Sequence, residues 1–166
     1  ITELCINGTL DEVIEHERNS CSINGWDDTR KLINIYGIAN SLRYLHSNNI
    51  IHRDLRPCNI LLDENLLPKL ADFGLSKEIN SENGPIGSGI KGTPAYIAPE
   101  IWNSRKYSKA SDVYAFAFTV FEIITCQKCF ADIKNFSTFL QTIVLLNARP
   151  EFKYPVPYCY KNLIQK

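Results

Sequence analysis

Three short stretches of this 166-residue chain place oxygen- and nitrogen-bearing side chains at spacings that could handle a phosphate ester. In His52-Arg53-Asp54-Leu55-Arg56-Pro57-Cys58-Asn59 an aspartate stands five residues before an asparagine, with a guanidinium between them. A carboxylate so placed can orient an alcohol nucleophile, and a side-chain amide a few residues on can hold a magnesium ion that bridges phosphates, so one tight loop presents both. Eighteen residues after Asp54 comes Asp72, in Asp72-Phe73-Gly74. Oxygen ligands from two separate loops suit a hard cation that keeps several waters and the phosphates' own oxygens in its shell. The third stretch, Gly92-Thr93-Pro94-Ala95-Tyr96-Ile97-Ala98-Pro99-Glu100, is the most specific string in the chain.

The elements that must carry these residues read as mostly helical. Residues 1–5 are short and apolar and run into an Asn7-Gly8 turn signal, which predicts a strand and a connection. Acidic residues crowd the front of 9–17, as suits a helix N-terminus, and Leu10, Val13 and Ile14 share one face. Residues 19–25 are polar and loop-like. Asp27 or Asp28 then caps a long helix reaching Ser47, with Leu32, Ile35, Ala39, Leu42 and Leu45 as its buried stripe. Brief apolar pieces at 50–51 and 60–62 predict short strands on either side of a polar loop, and 70–73 a further one. The stretch 76–92 is rich in Gly, Ser, Asn and Lys and reads as exposed and mobile. From Asp112 to Thr125 the chain is apolar nearly all round, which predicts a helix buried on every side, and more helix is expected from about 135 to 146.

Composition sets bounds on function. The chain is long enough for one globular domain with a core and too short to expect two. Eighteen basic residues balance eighteen acidic ones, so nothing in the composition suggests the extended basic surface that a nucleic-acid backbone requires. The longest apolar run, 113–124, falls well short of the roughly 20 residues that span a bilayer, which argues against membrane insertion. Six cysteines are scattered without the spacing of a disulfide scaffold, which points to a reducing, cytoplasmic setting. Cys126 and Cys129 form a lone CxxC with no second pair to complete a zinc site. The chain contains no methionine and opens on Ile1 without a signal peptide, the look of a piece of a longer protein.

The motifs at Asp54, Asp72 and 92–100 resemble, in order and spacing, the catalytic loop, the DFG element and the APE-terminated activation segment of eukaryotic-type protein kinases. The resemblance implies a mainly α fold with short β-hairpins, the C-terminal lobe of that family, with the N-terminal β-rich lobe absent. On that reading residues 1–8 are the end of an N-lobe strand and the hinge, and 9–166 are the C-lobe, truncated at its far end before an arginine that would pair with Glu100. It implies Asp54 as catalytic base, Asn59 and Asp72 as magnesium ligands, and Arg56 as the cation beside the transferring group. Glu3 and Cys5, through backbone atoms, and Leu61 would line the ATP site. Thr93, Pro99 and Glu100 would dock the peptide substrate, with Thr93 touching the catalytic aspartate. Asp112 would bind backbone amides of the catalytic loop, although an acid opening a helix is also an ordinary cap. The implied ligands are ATP, Mg2+ and a protein substrate, and no oligomeric state follows.

Two departures bear on the implied chemistry. Arg56 stands where serine/threonine kinases place lysine, and a planar guanidinium is not interchangeable with an ammonium. Together with the serine/threonine-like string at 92–100, this resembles the tyrosine-kinase-like group. Ala117 stands where the buried helix often carries glycine. Phosphorylation of Ser81, Ser88 or Thr93 is an expected switch, with Arg53 available to pair the added phosphate. The implied reaction is phosphoryl transfer from ATP to serine or threonine hydroxyls by the parent protein, the isolated chain being poorly active without the parts that cover the phosphates. A catalytically inactive remnant acting as a binding module is the alternative. A small-molecule phosphotransferase is disfavoured, because 92–100 has no use there.

Overall fold

The computed structural model describes residues 3–21, 23–79, 89–133 and 135–165. Helix α1 (Leu10–Arg18) starts where Thr9 and Glu12 cap each other. Thr9 Oγ1 accepts from the Glu12 N–H at 3.2 Å and Glu12 Oε2 accepts from the Thr9 N–H at 2.8 Å. This reciprocal cap satisfies two donors that the first turn leaves open. Leu10, Val13 and Ile14 are buried, as their shared face predicts.

Helix α2 (Asp28–Ser47) is capped by Asp27, whose Oδ1 accepts from the Arg30 N–H at 2.7 Å. Its buried residues are Asn34, Ile35, Ile38, Leu42 and Leu45. Leu32, expected in that stripe, is 53% exposed, and Ala39 is half-buried. At 3.6 residues per turn the buried face centres between Ile35 and Ile38, and Leu32 lies about a quarter-turn or more away from it. Gly37 lets the next layer approach: a Cβ there would stand 2.7 Å from Pro68 Cγ.

Two small antiparallel ladders lie against this pair. β1 (Ile50–Ile51) pairs with β4 (Lys77–Glu78), and β2 (Ile60–Leu62) with β3 (Pro68–Leu70). Three expectations need correction here. Residues 3–5 are not strand: Glu3 and Leu4 are exposed, and among the described residues no strand pairs with them. The strand expected at 70–73 ends at Leu70, because Asp72 takes a left-handed backbone (φ 57°) and Phe73–Leu75 closes into a 3-10 turn. The front of the segment read as mobile is ordered, with Lys77–Glu78 on β1 and the Ile79 N–H donating to the Asn49 carbonyl at 2.7 Å.

Helix α3 (Pro99–Ser104) has its proline in the first turn, where a missing N–H costs nothing. Helix α4 (Lys109–Thr125) starts three residues before the expected Asp112, on the Ser108 cap, and is buried at 111–112 and throughout 115–123. Helix α5 (Phe136–Leu140) passes into a π turn at Gln141–Leu145 instead of continuing as one α-helix to 146. Helix α6 (Tyr158–Gln165) packs on α4, as does α2. Among the described residues no helix is long and apolar enough to cross a membrane.

Buried apolar side chains form two clusters. The larger joins α1, α2, β2 and α4 and includes Leu55. The smaller comprises Ile51, Ile97, Ala98, Ile101 and Tyr107. Tyr114 packs partly against both.

Candidate active site

The loop between β1 and β2 is held from below by α4. Asp112, 1% exposed in the first turn of α4, accepts from the His52 N–H at 2.8 Å and from the Arg53 N–H at 2.9 Å. Its Oδ2 also accepts from His46 Nε2 at 2.9 Å. A fully buried carboxylate is tolerated because its lone pairs are filled this way. These contacts fix the turn at Arg53, a non-glycine residue at φ 72°.

Above that anchor the polar residues converge. Asn59 Nδ2 donates to the Asp54 carbonyl at 2.8 Å and to Asp54 Oδ2 at 2.9 Å. The other carboxylate oxygen, Oδ1, accepts from the Thr93 N–H at 3.2 Å and the Thr93 hydroxyl at 3.4 Å. Arg56 Nη1 donates to the Thr93 hydroxyl. Thr93 reaches Asp54 because Gly92, at φ 107°, lets the chain graze the loop: a Cβ there would sit 3.0 Å from the Arg53 carbonyl. Burial works against the charge of Arg56, but the Cys58 thiol and the Asp54 carboxylate beside it outweigh this, so its pKa is raised and it stays cationic.

Asp72 joins from the next loop. The Ala71 N–H donates to the Asn59 carbonyl at 2.9 Å, and His52 Nε2 donates to the Ala71 carbonyl at 3.1 Å. The Asp72 carboxylate is exposed, with Oδ1 accepting from the Gly74 N–H at 3.3 Å. This donor set fits a magnesium ion. The Asn59 amide spends its N–H donors on Asp54, which leaves Oδ1 as the atom for a cation, and Asp72 supplies a carboxylate one residue from the Ala71 contact. Among the described residues no three His, Cys, Asp or Glu side chains form a closed metal cage. A cation that keeps waters and phosphate oxygens needs none.

A match to the protein kinase domain model spans residues 1–165. The chain belongs to the protein kinase family. It is 37% identical over 166 residues, its whole length, to the RGS domain-containing serine/threonine-protein kinase A of Dictyostelium discoideum. It is 41% identical over 127 residues, 74% of the chain, to the dual specificity protein kinase shkA of the same organism. A cysteine-rich receptor-like protein kinase 1 of Arabidopsis thaliana is 36% identical over 146 residues, 86% of the chain. The chain spans 14%, 24% and 23% of these relatives' lengths. The helical architecture with its small ladders is that of a kinase C-terminal lobe, as expected.

Cys5 is half-buried and Glu3 is exposed, with its carboxylate 3.3 Å from Lys69 Nζ. They lead into a connection fastened to β2 by Asn7 N–H to the Leu62 carbonyl (3.3 Å) and Leu62 N–H to the Gly8 carbonyl (2.9 Å). Leu61 is half-exposed between buried Ile60 and Leu62, on the opposite face of the strand. Pro99 and Glu100 open α3, with Glu100 exposed. The Arg53 guanidinium lies over the Tyr107 ring, and its Nε and Nη2 are buried without a hydrogen-bond partner. Ser81 and Ser88 lie outside the described residues. Two cavities of about 850 and 860 Å3 are lined by parts of α1, α3, α4, α6 and the chain around 125–154 and not by Asp54, Asn59 or Asp72. In the polar cluster Asp54, Asn59 and Thr93 are half-buried and Asp72 is exposed.

Sequence reasoning missed Glu122 and Tyr96. Glu122, 1% exposed on α4, accepts from the Tyr96 hydroxyl at 2.8 Å and the Cys129 N–H at 2.9 Å. Burial, and then the Glu122 charge, push the Tyr96 phenol and the Cys129 thiol far up, so both stay protonated as donors. This ties the 3-10 turn that follows Thr93 to the buried helix. A single carboxylate inside the apolar run was the available signal.

Proposed function

We propose that the protein carrying this chain transfers the terminal phosphoryl group of ATP to serine or threonine hydroxyls of proteins. The observation that supports this most is the sharing of the Asp54 carboxylate between Asn59 and Thr93: the loop and the docking segment meet at one carboxylate. On this reading residues 1–8 lead from the nucleotide-gripping lobe through the hinge, and 9–166 belong to the C-terminal lobe. Asp54 orients the acceptor hydroxyl and takes its proton as the new oxygen–phosphorus bond forms and the bond from that phosphorus to the leaving ADP breaks. Arg56 stands beside it as a fixed positive charge for the phosphoryl oxygens. Asn59 Oδ1 and the Asp72 carboxylate would hold magnesium, which when bound supplies charge neutralisation to the phosphates. Thr93 keeps Asp54 pointed, and the segment from Gly92 to Glu100 seats the substrate chain. Leu61, with the backbone of Glu3 and Cys5, lines the adenine side. A phosphate added at Ser81 or Ser88 would have the Arg53 guanidinium, whose Nε and Nη2 lack hydrogen-bond partners, to pair with, and new arginine contacts can order such a segment. The names of the relatives, serine/threonine and dual specificity kinases, support the hydroxyl acceptor class.

The test is a magnesium-ATP phosphorylation assay on the full-length protein with a mixed serine, threonine and tyrosine peptide library. Asp54→Asn is expected to lower transfer by at least about 100-fold, the usual scale for a general base. Equal transfer by wild type and Asp54→Asn would end the proposal.

A further inference from the structure

Tyr107, in the connection between α3 and α4, is 4% exposed and has no role in the phosphotransfer reading above. Its hydroxyl accepts from the backbone N–H of Lys91 at 2.8 Å and donates to the backbone carbonyl of the same residue at 2.5 Å. One phenol therefore satisfies both main-chain groups of a single residue, the service a neighbouring strand normally provides. Its ring face carries the Arg53 guanidinium, with Cζ 4.2 Å from the centroid. That contact partly compensates a cation whose Nε and Nη2 are buried without partners. The ring is seated among Ile51, Ile97, Ala98 and Ile101.

These two grips fall on either side of the reacting centre. Lys91 lies two residues before Thr93, whose N–H and hydroxyl point at Asp54 Oδ1. Arg53 directly precedes Asp54. Tyr107 thus holds the docking segment with its hydroxyl and the catalytic loop with its ring, and both hands come from one rigid, packed side chain. We propose that Tyr107 is a positioning residue that docks residues 89–93 onto the catalytic loop without an added phosphate. The proposal deepens the phosphotransfer reading and rests on it for its kinetic consequence, while the docking contact itself can be read independently.

Tyr107→Phe removes the hydroxyl and keeps the ring in its apolar seat. The full-length protein and this variant are treated with phosphatase and compared in two ways. By hydrogen exchange, the Lys91 amide is expected to be protected in the dephosphorylated wild type and to lose that protection in Tyr107→Phe, while the amides of His52 and Arg53, held by Asp112, stay protected in both. In steady-state kinetics, Tyr107→Phe is expected to lower kcat/KM for a peptide acceptor roughly tenfold, the scale of one or two lost hydrogen bonds, with KM for ATP unchanged. An unprotected Lys91 amide in the dephosphorylated wild type, or identical exchange in the variant, would overturn the docking role. Lost protection with unchanged peptide kinetics would overturn the positioning role. If neither protein transfers phosphate in an Asp54-dependent way, the phosphotransfer reading fails and the exchange result alone decides whether Tyr107 holds the segment.

Discussion

Arg56 shows how one side chain answers to several neighbours. Its guanidinium reaches the Thr93 hydroxyl and lies beside both Asp54 and Cys58. A lysine at this position would keep the charge as a compact point on a flexible stem, whereas arginine spreads it over a planar fork that can serve Thr93 and a phosphoryl oxygen together. Arg56→Lys is therefore expected to retain kcat/KM within about tenfold of wild type, and Arg56→Ala to lose about 100-fold. Steady-state kinetics on the full-length protein separates the two, and equal losses would mean that charge is not what Arg56 supplies. Glu122 needed a different kind of knowledge. Its partners Tyr96 and Cys129 lie 26 residues before it and seven after it. Only chain crossing brings Tyr96 to it, and no local spacing announces that. Asp54, Asn59 and Asp72 stand out by their positions along the chain, and the resemblance implied the Thr93 and Asp112 contacts, but the hydrogen bonds from Asn59 to Asp54 had no signal in the sequence.

At the scale of elements, α4 does more than fill the core. Its first turn presents Asp112 to two main-chain N–H groups and to His46, so the helix start and the loop between β1 and β2 are one unit. Asp112→Ala leaves those donors buried and unmet, and unfolding free energy is expected to fall by about 3 kcal/mol. Asp112→Asn, which still accepts through one oxygen, is expected to cost less. Urea denaturation measures both, and a loss under about 0.5 kcal/mol for Asp112→Ala would show that water replaces the carboxylate. The helices themselves were readable from periodicity and caps, as Thr9 with Glu12 and Asp27 show. The ladders were less so: Lys77–Glu78 is strand through its pairing with Ile50–Ile51 and not through its composition. Leu32 misled because an apolar residue on a long helix can belong to its outer face as well as its inner one.

For the molecule as a whole, α1 is tied to distant chain by two ion pairs, Glu17 with Lys31 at 2.5 Å and Asp11 with Lys128. Burial alone would raise both carboxyl pKa values. The lysines, with Trp26 bonding Glu17, more than reverse this and hold them below their ordinary 4.5 and 3.8. A folded-state pKa below the unfolded one favours the native state in the ionised form, so this contribution is complete above those ordinary values and is lost as pH falls through and below them. The urea midpoint is expected to drop from about pH 5 to about pH 3, and the double variant Lys31→Met, Lys128→Met to flatten that part of the profile. An unchanged slope would assign the acid sensitivity elsewhere. The two apolar clusters carry a consequence of their own. Ile51 is embedded in the smaller and Leu55 in the larger, both at 0% exposure, and the three residues strung between them are His52, Arg53 and Asp54. Asp54, the proposed base, therefore lies where the chain crosses from one apolar cluster to the other. A substitution at Tyr114, which touches both clusters, would disturb the packing at both anchors of that crossing, Ile51 and Leu55.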